Sequence, residues 1–175
     1  MNMLFPRRYV SIVMTGVETV LSLCEVEVFS STSMAVSGCS QRLPPDQVAA
    51  FRDTCYHFVP GEVAGYDNAA AKCTEYDPAY HLLAGFDPHA KSYLTSRLDA
   101  AAASASEAAK PTSLMAWVGA RRETNFGQER WAWVTGERVE EIAWGRGQPN
   151  NYNQEQNCAV LDSELDWKWN DISCK

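Results

Sequence analysis

The chain of 175 residues is poor in the groups that most chemistry requires. Its only histidines, His57, His81 and His89, fall in different segments. No glycine-rich phosphate loop, nucleophile elbow or metal-protease histidine pair occurs, so an enzyme reading has nothing to stand on. Basic residues are in deficit, 15 Lys and Arg against 22 Asp and Glu, for a net charge of −7. Without a basic stripe to neutralise phosphates, nucleic acid is excluded as a partner. No stretch approaches the roughly 20 apolar residues that span a bilayer. There is also no Asn-x-Ser/Thr acceptor for N-glycosylation. The six cysteines, Cys24, Cys39, Cys55, Cys73, Cys158 and Cys174, form no Cys-x-x-Cys pair and have no His-x-x-x-His grouping beside them. That puts disulfides ahead of structural zinc. Disulfides in turn imply an oxidising compartment, secreted or extracellular.

What is present fits one domain of ordinary size plus a small remainder. The hydrophobic share of 46% is enough for a core. Near the N-terminus, Arg7 and Arg8 precede an apolar run over 10–14 that could pass for a signal peptide. Thr15, Gly16 and Glu18 interrupt it, and no small-x-small cleavage site follows closely. The runs 10–14 and 21–28 read better as two strands joined by a Thr-Gly turn. Residues 30–38 then have the small polar composition of a linker.

Two helices are expected. Tyr66, Ala69, Ala70 and Cys73 recur at helical spacing. Asp87 offers an N-cap with Pro88 at the first helical position, and Tyr93, Leu94, Leu98 and Ala101 continue that helix's apolar face. The alanine run 100–104 favours helix and Pro111 stops it. Between the helices, residues 80–86 read as a buried strand. The tryptophans at 117, 131, 133, 144 and 169 suit core positions better than exposed sugar-stacking platforms, because large aromatics at alternating positions bury area.

The chemistry concentrates near the C-terminus. Gln148, Pro149 and Asn150 precede Cys158, and Trp169, Asn170, Asp171, Ile172 and Ser173 lead to Cys174. Amide and carboxylate oxygens on two loops suit a hard cation such as calcium, which takes about 6–8 oxygen ligands in flexible geometry. Asparagine and glutamine are also common in loops, and residues 150–153 can equally be turn chemistry.

In these landmarks the segment resembles the C-type lectin domain, an α+β fold with two helices, antiparallel strands and a long ligand loop. Residues 116–120, 131–136 and 144–147 resemble that family's successive core landmarks, and the resemblance covers residues 39–175. It implies calcium-dependent carbohydrate binding. Gln148, Asn150, Gln156, Asn170 and Asp171 would hold calcium, with sugar hydroxyls completing its coordination. Gln148, Asn150, Gln156 and Asn170 would also bind the carbohydrate. Disulfides Cys39–Cys55 and Cys158–Cys174 are implied as well. The former closes a loop of about 15 residues, worth about 3 kcal/mol in the chain-entropy model.

Two departures from the family pattern stand out. Gln148-Pro149-Asn150 is a hybrid of Glu-Pro-Asn, associated with mannose-type hydroxyl geometry, and Gln-Pro-Asp, associated with galactose-type geometry. Gln156 stands where the family usually has Glu, with Glu155 beside it. Asp171 is then the only formal negative charge in the set, so calcium binding is expected to be weak or absent. A calcium-independent module for a protein or other ligand is the alternative, and a structural spacer a third class.

A second resemblance concerns residues 8–13 and 21–28, which look like the closing strands of an F-type lectin (fucolectin) β-sandwich. It implies a division into a fucolectin-like tail over 1–29, a linker over 30–38 and the lectin domain over 39–175. On that reading the chain is a fragment of a larger multidomain extracellular protein, lacking the lectin domain's last strand. Cys24 and Cys73 are then both expected to be unpaired.

Overall fold

The computed structural model describes residues 18–27, 48–52, 54–59, 65–76, 80–85, 87–104, 113–125, 127–140 and 142–175. Eight strands are named among them: β1 (Glu18–Glu27), β2 (Val48–Phe51), β3 (Thr54–Phe58), β4 (His81–Leu82), β5 (Ser113–Asn125), β6 (Gln128–Trp133), β7 (Cys158–Asp162) and β8 (Lys168–Ile172). Helix α1 (Tyr66–Tyr76) precedes β4, and helix α2 (Pro88–Ser104) follows it. The strands join in the order β2-β3-β1-β5-β7-β8, with β4 beside β1 and β6 beside β5. This is a mixed α+β fold.

Helix α2 begins as its sequence dictates. The Asp87 carboxylate accepts from the backbone N–H groups of His89 at 2.7 Å and Ala90 at 2.9 Å, satisfying two donors the helix cannot bond internally. The Ala90 bond leads in holding that carboxyl below its ordinary pKa. Ala90, Leu94 and Leu98 are buried along one face of α2, and Tyr66, Ala69 and Cys73 along one face of α1. Full burial of a leucine contributes about 1.5–3 kcal/mol, so Leu94 and Leu98 anchor α2. The Ala101 side chain, residues 105–112 and Phe86 lie outside what is described. The strand expected over 80–86 shrinks to His81 and Leu82, although Leu83 and Ala84 beyond it are buried.

The close approach at Gly119 explains that shortening. Leu83 gives its carbonyl to Gly119 N–H at 2.7 Å instead of continuing a ladder. A Cβ on Gly119 would lie 2.8 Å from the Leu82 carbonyl oxygen and 2.8 Å from Val134 Cγ1. In the same region the β5–β7 register shifts, between Trp117 and Arg121. Trp117 is buried and meets Tyr66 edge-on, centroids 5.9 Å apart. Burial pushes the Tyr66 hydroxyl up to about 12, and its oxygen has no hydrogen-bond partner. His57 on β3 is likewise buried, which lowers its pKa to about 4.

The N-terminal expectations need correction. The likeness to a fucolectin tail is not supported, because residues 18–27 are an interior strand of the one sheet that also holds β5, β7 and β8. β1 runs antiparallel to β3 and β4 and parallel to β5. In the strand order β1 lies between β3 and β5. The strand expected over 10–14, the linker over 30–38 and Cys39 lie outside the described residues. Cys73, expected to be unpaired, is disulfide-bonded. The expectation placed its partner on a strand beyond Lys175, whereas α1 packs on β1, the strand that carries residue 24. Cys55 is also disulfide-bonded.

Candidate functional site

The site is built where the end of β5, the loop over 148–157 and strand β8 meet. A disulfide between Cys158 and Cys174, with Cα atoms 5.2 Å apart, joins the start of β7 to the chain just past β8. Antiparallel pairing of β7 with β8 sets Ala159 opposite Asp171 and Val160 opposite Asn170. Beneath, Trp131, Trp144, Trp169 and Trp133 form a chain of edge-on contacts with centroids 5.0, 5.9 and 5.5 Å apart. Trp117 and Trp169 are buried, and the other three of the five are partly buried and packed on the core, the scaffold positions expected of them.

The loop is held by side chains bonded to backbone. Asn150 Oδ1 accepts from Tyr152 N–H at 3.0 Å, and Gln156 Oε1 accepts from the same group at 2.6 Å. Asn151 Oδ1 accepts from Gln156 N–H at 3.2 Å. Asn151, Asn153 and Gln154 have positive φ, a region asparagine enters more readily than most residues. The turn chemistry open to residues 150–153 is thus realised. The Gln148–Pro149 peptide bond is cis.

Asp171 fastens this loop to the sheet. It is 0% exposed, and its Oδ1 accepts from Asn150 N–H at 2.9 Å while its Oδ2 accepts from Asn151 N–H at 2.8 Å. Its Oδ2 also accepts from Arg122 Nη2 at 3.3 Å. Asn170 turns its amide nitrogen to Asp162 Oδ2 at 3.0 Å. Gln148 Oε1 is buried without a hydrogen-bond partner, and Glu155 is exposed.

The five expected calcium ligands are therefore brought to one end of the molecule but do not fit an ion as they stand. The lone carboxylate is enclosed and faces a guanidinium. The oxygens of Asn150 and Gln156 bond to backbone. Gln148 presents a buried oxygen with nothing bonded to it.

Two contributors were not singled out from sequence: Arg122 and Asp162. The signal for Arg122 was available, since successive residues in a strand point to opposite faces. Of the pair Arg121 and Arg122, one must then leave the outer surface. Arg121 stays 46% exposed and pairs with Asp67, whereas Arg122 is 11% exposed. Beside the loop lies a cavity of about 260 Å³, lined by Trp131, Arg122, Arg130, Glu129, Asn150 and Asn151 among others. Trp131 is the one tryptophan on its wall, so this scaffold residue also faces open space.

Comparison with known proteins agrees with this architecture. The family model described as "Lectin C-type domain" matches residues 62–175, more than half of the chain. C-type lectin lectoxin-Phi1 of Philodryas olfersii is 36% identical over 59 residues, which cover 33% of this chain and 36% of the relative. A perlucin-like protein of Mytilus galloprovincialis is 41% identical over 59 residues, with the same shares covered. The chain thus spans about a third of the length of these curated relatives. Among solved structures, the C-type lectin CEL-I of Cucumaria echinata aligns with a TM-score of 0.58 at 22% identity, over 77% of this chain and 91% of that one. The mouse scavenger receptor C-type lectin carbohydrate-recognition domain aligns with a TM-score of 0.54 at 23% identity, over 75% and 89%. At such identities the structural likeness is one of fold. The family model carries the assignment: this chain belongs to the C-type lectin domain family, whose members are binding proteins and not enzymes.

Proposed function

We propose that the domain binds carbohydrate at the face formed by the 148–157 loop and the adjoining cavity. The observation that carries this reading is the pairing of a tryptophan wall with a polar loop already fixed in shape. A sugar ring has an apolar face and a rim of hydroxyls. Trp131 can meet the first, while the amides of Asn150 and Asn151 and the guanidinium of Arg130 can meet the second. Stacking of this kind adds to area burial, and polar groups fixed before binding lose less entropy on it. Gln148, Gln156 and Asn170 belong to the same end and bear on which hydroxyls are read. The disulfides agree with a secreted or extracellular protein.

Calcium, the cofactor the family resemblance implies, would be held by Gln148, Asn150, Gln156, Asn170 and Asp171, and would require the oxygens of Asn150, Gln156 and Asp171 to release the contacts described above. The test is a glycan array probed with the labelled chain, once with calcium and once with chelator. The expected result is selective binding to one sugar class that Trp131→Ala removes. No glycan retained under either condition would sink the carbohydrate reading and leave a module for protein or other ligands.

A further inference from the structure

We infer that Arg122 is the resident cation of this site: its guanidinium takes the place beside Asp171 that a metal ion would otherwise fill, and makes the loop's shape independent of calcium. Arg122 reaches this position because β5 pairs with β6 in a register that sets it opposite Trp131. Its guanidinium carbon lies 5.5 Å from the centroid of the Trp131 ring, a cation–π placement that favours a charged group over the ring face. Nη2 reaches Asp171 Oδ2 at 3.3 Å and Nη1 reaches Glu129 Oε2 at 3.6 Å. Its backbone N–H donates to the Asn157 carbonyl at 2.8 Å, at the far end of the loop. One residue thus holds the loop's end through its main chain and the loop's start, through Asp171, with its side chain.

Charge makes the exclusion specific. Asp171 is the single carboxylate among the five expected ligands, and Arg122 already balances it. A divalent ion entering there would face a largely enclosed guanidinium of its own sign, and among the described residues Glu129 is the other acidic group paired with that guanidinium. Arg130, the second cation on the cavity wall, pairs with Glu123 at 3.2 Å. Like charges in a shielded site repel far more strongly than in water. Removing the arginine reverses the balance, because Asp171 is then left buried and unpaired, and a carboxylate at position 156 adds a second negative ligand.

This inference takes the loop to be the ligand face, as proposed above, but its test needs no sugar. The whole chain would be titrated with calcium by calorimetry and melted with calcium or chelator, alongside Arg122→Gln and Arg122→Gln/Gln156→Glu. The wild type is expected to show no saturable heat up to about 10 mM, above the range of about 10⁻⁴–10⁻³ M typical of weak extracellular sites, and no change in melting temperature. The double variant is expected to bind calcium and to melt about 4 °C higher at about 10 mM than in chelator. Should it fail to fold, Arg122→Gln alone is expected to melt below the wild type and to recover part of the loss with calcium. Saturable wild-type binding abolished by Asp171→Asn would overturn the inference, as would folded Arg122 variants indifferent to calcium. A failed glycan array touches neither outcome and counts only against the carbohydrate reading.

Discussion

Strand β5 buries Ala116, Trp117, Val118 and Ala120, whereas none of the residues in the loop over 148–157 is buried. The strand holds its shape by area removed from water and by a glycine that lets two backbones touch. The loop holds its shape by amide side chains bonded to its own backbone and by one enclosed carboxylate beneath it. Apolar burial is non-directional and shared among many neighbours, so a change in the strand should be felt by the whole domain. Hydrogen bonds of the loop are directional and local, worth about 0.5–1.5 kcal/mol each. Changes there should act on binding well before they act on folding.

The difference can be broken or sharpened by substitution. Trp117→Ala should be the most damaging, with about 3–5 kcal/mol lost from the denaturant-unfolding free energy, a large part of the stability of an ordinary domain. A result near zero would mean that the β5 core does not hold the fold.

Acid should act on the scaffold through His57. Its folded pKa of about 4 lies below the ordinary value of 6.5. Stability is therefore complete above about pH 6.5, falls as pH drops towards 4 because only the unfolded chain takes up the proton, and levels off below. That gap corresponds to about 3 kcal/mol. Melts between pH 7 and 4 should show the slope in the wild type and a flatter profile in His57→Gln.

Gly119→Ala comes next, at about 1–3 kcal/mol from overpacking, because the new Cβ meets a carbonyl oxygen on one side and Val134 on the other. Its unfolding midpoint in urea should move down with an unchanged slope.

In the loop, Asn151→Ala removes the acceptor for Gln156 N–H and places alanine at positive φ. The expected loss is about 1 kcal/mol, with a melting temperature within roughly 4 °C of wild type and glycan binding abolished. Binding retained would move the ligand face elsewhere. Smallest of all is Tyr66→Phe, which deletes a buried hydroxyl without a partner and should be neutral or stabilising by up to about 1 kcal/mol in thermal melts.

Much of this architecture was legible because its causes are local. Asp87 caps α2 through N–H groups two and three residues on, a geometry that any Asp-Pro helix start can reach. The helical spacing of Tyr66, Ala69 and Cys73 suffices to define α1's buried face. The strand over 80–86 was read too long, because its apolar residues cannot reveal that Leu83 spends its carbonyl on Gly119. The expected site residues lie at one end of the fold, but the bonds they make were not foreseeable. Gln156 and Asn150 share one donor, Tyr152 N–H, a competition visible only once the turn has closed.

The sequence by itself determined the family, through landmarks spread over residues 116–174, and the Cys158–Cys174 bond that closes β7 and β8 onto one another. It also determined the acidic surplus, 22 Asp and Glu against 15 Lys and Arg. Only the tertiary structure decided that residues 18–27 belong in the middle of the lectin sheet, since strand pairing joins segments far apart in the chain and a strand's own composition does not name its neighbours. It alone decided that Arg122, not Arg121, would turn inward to Asp171, 49 residues away. In a strand the face of every side chain follows from register, and register is set by the strands alongside.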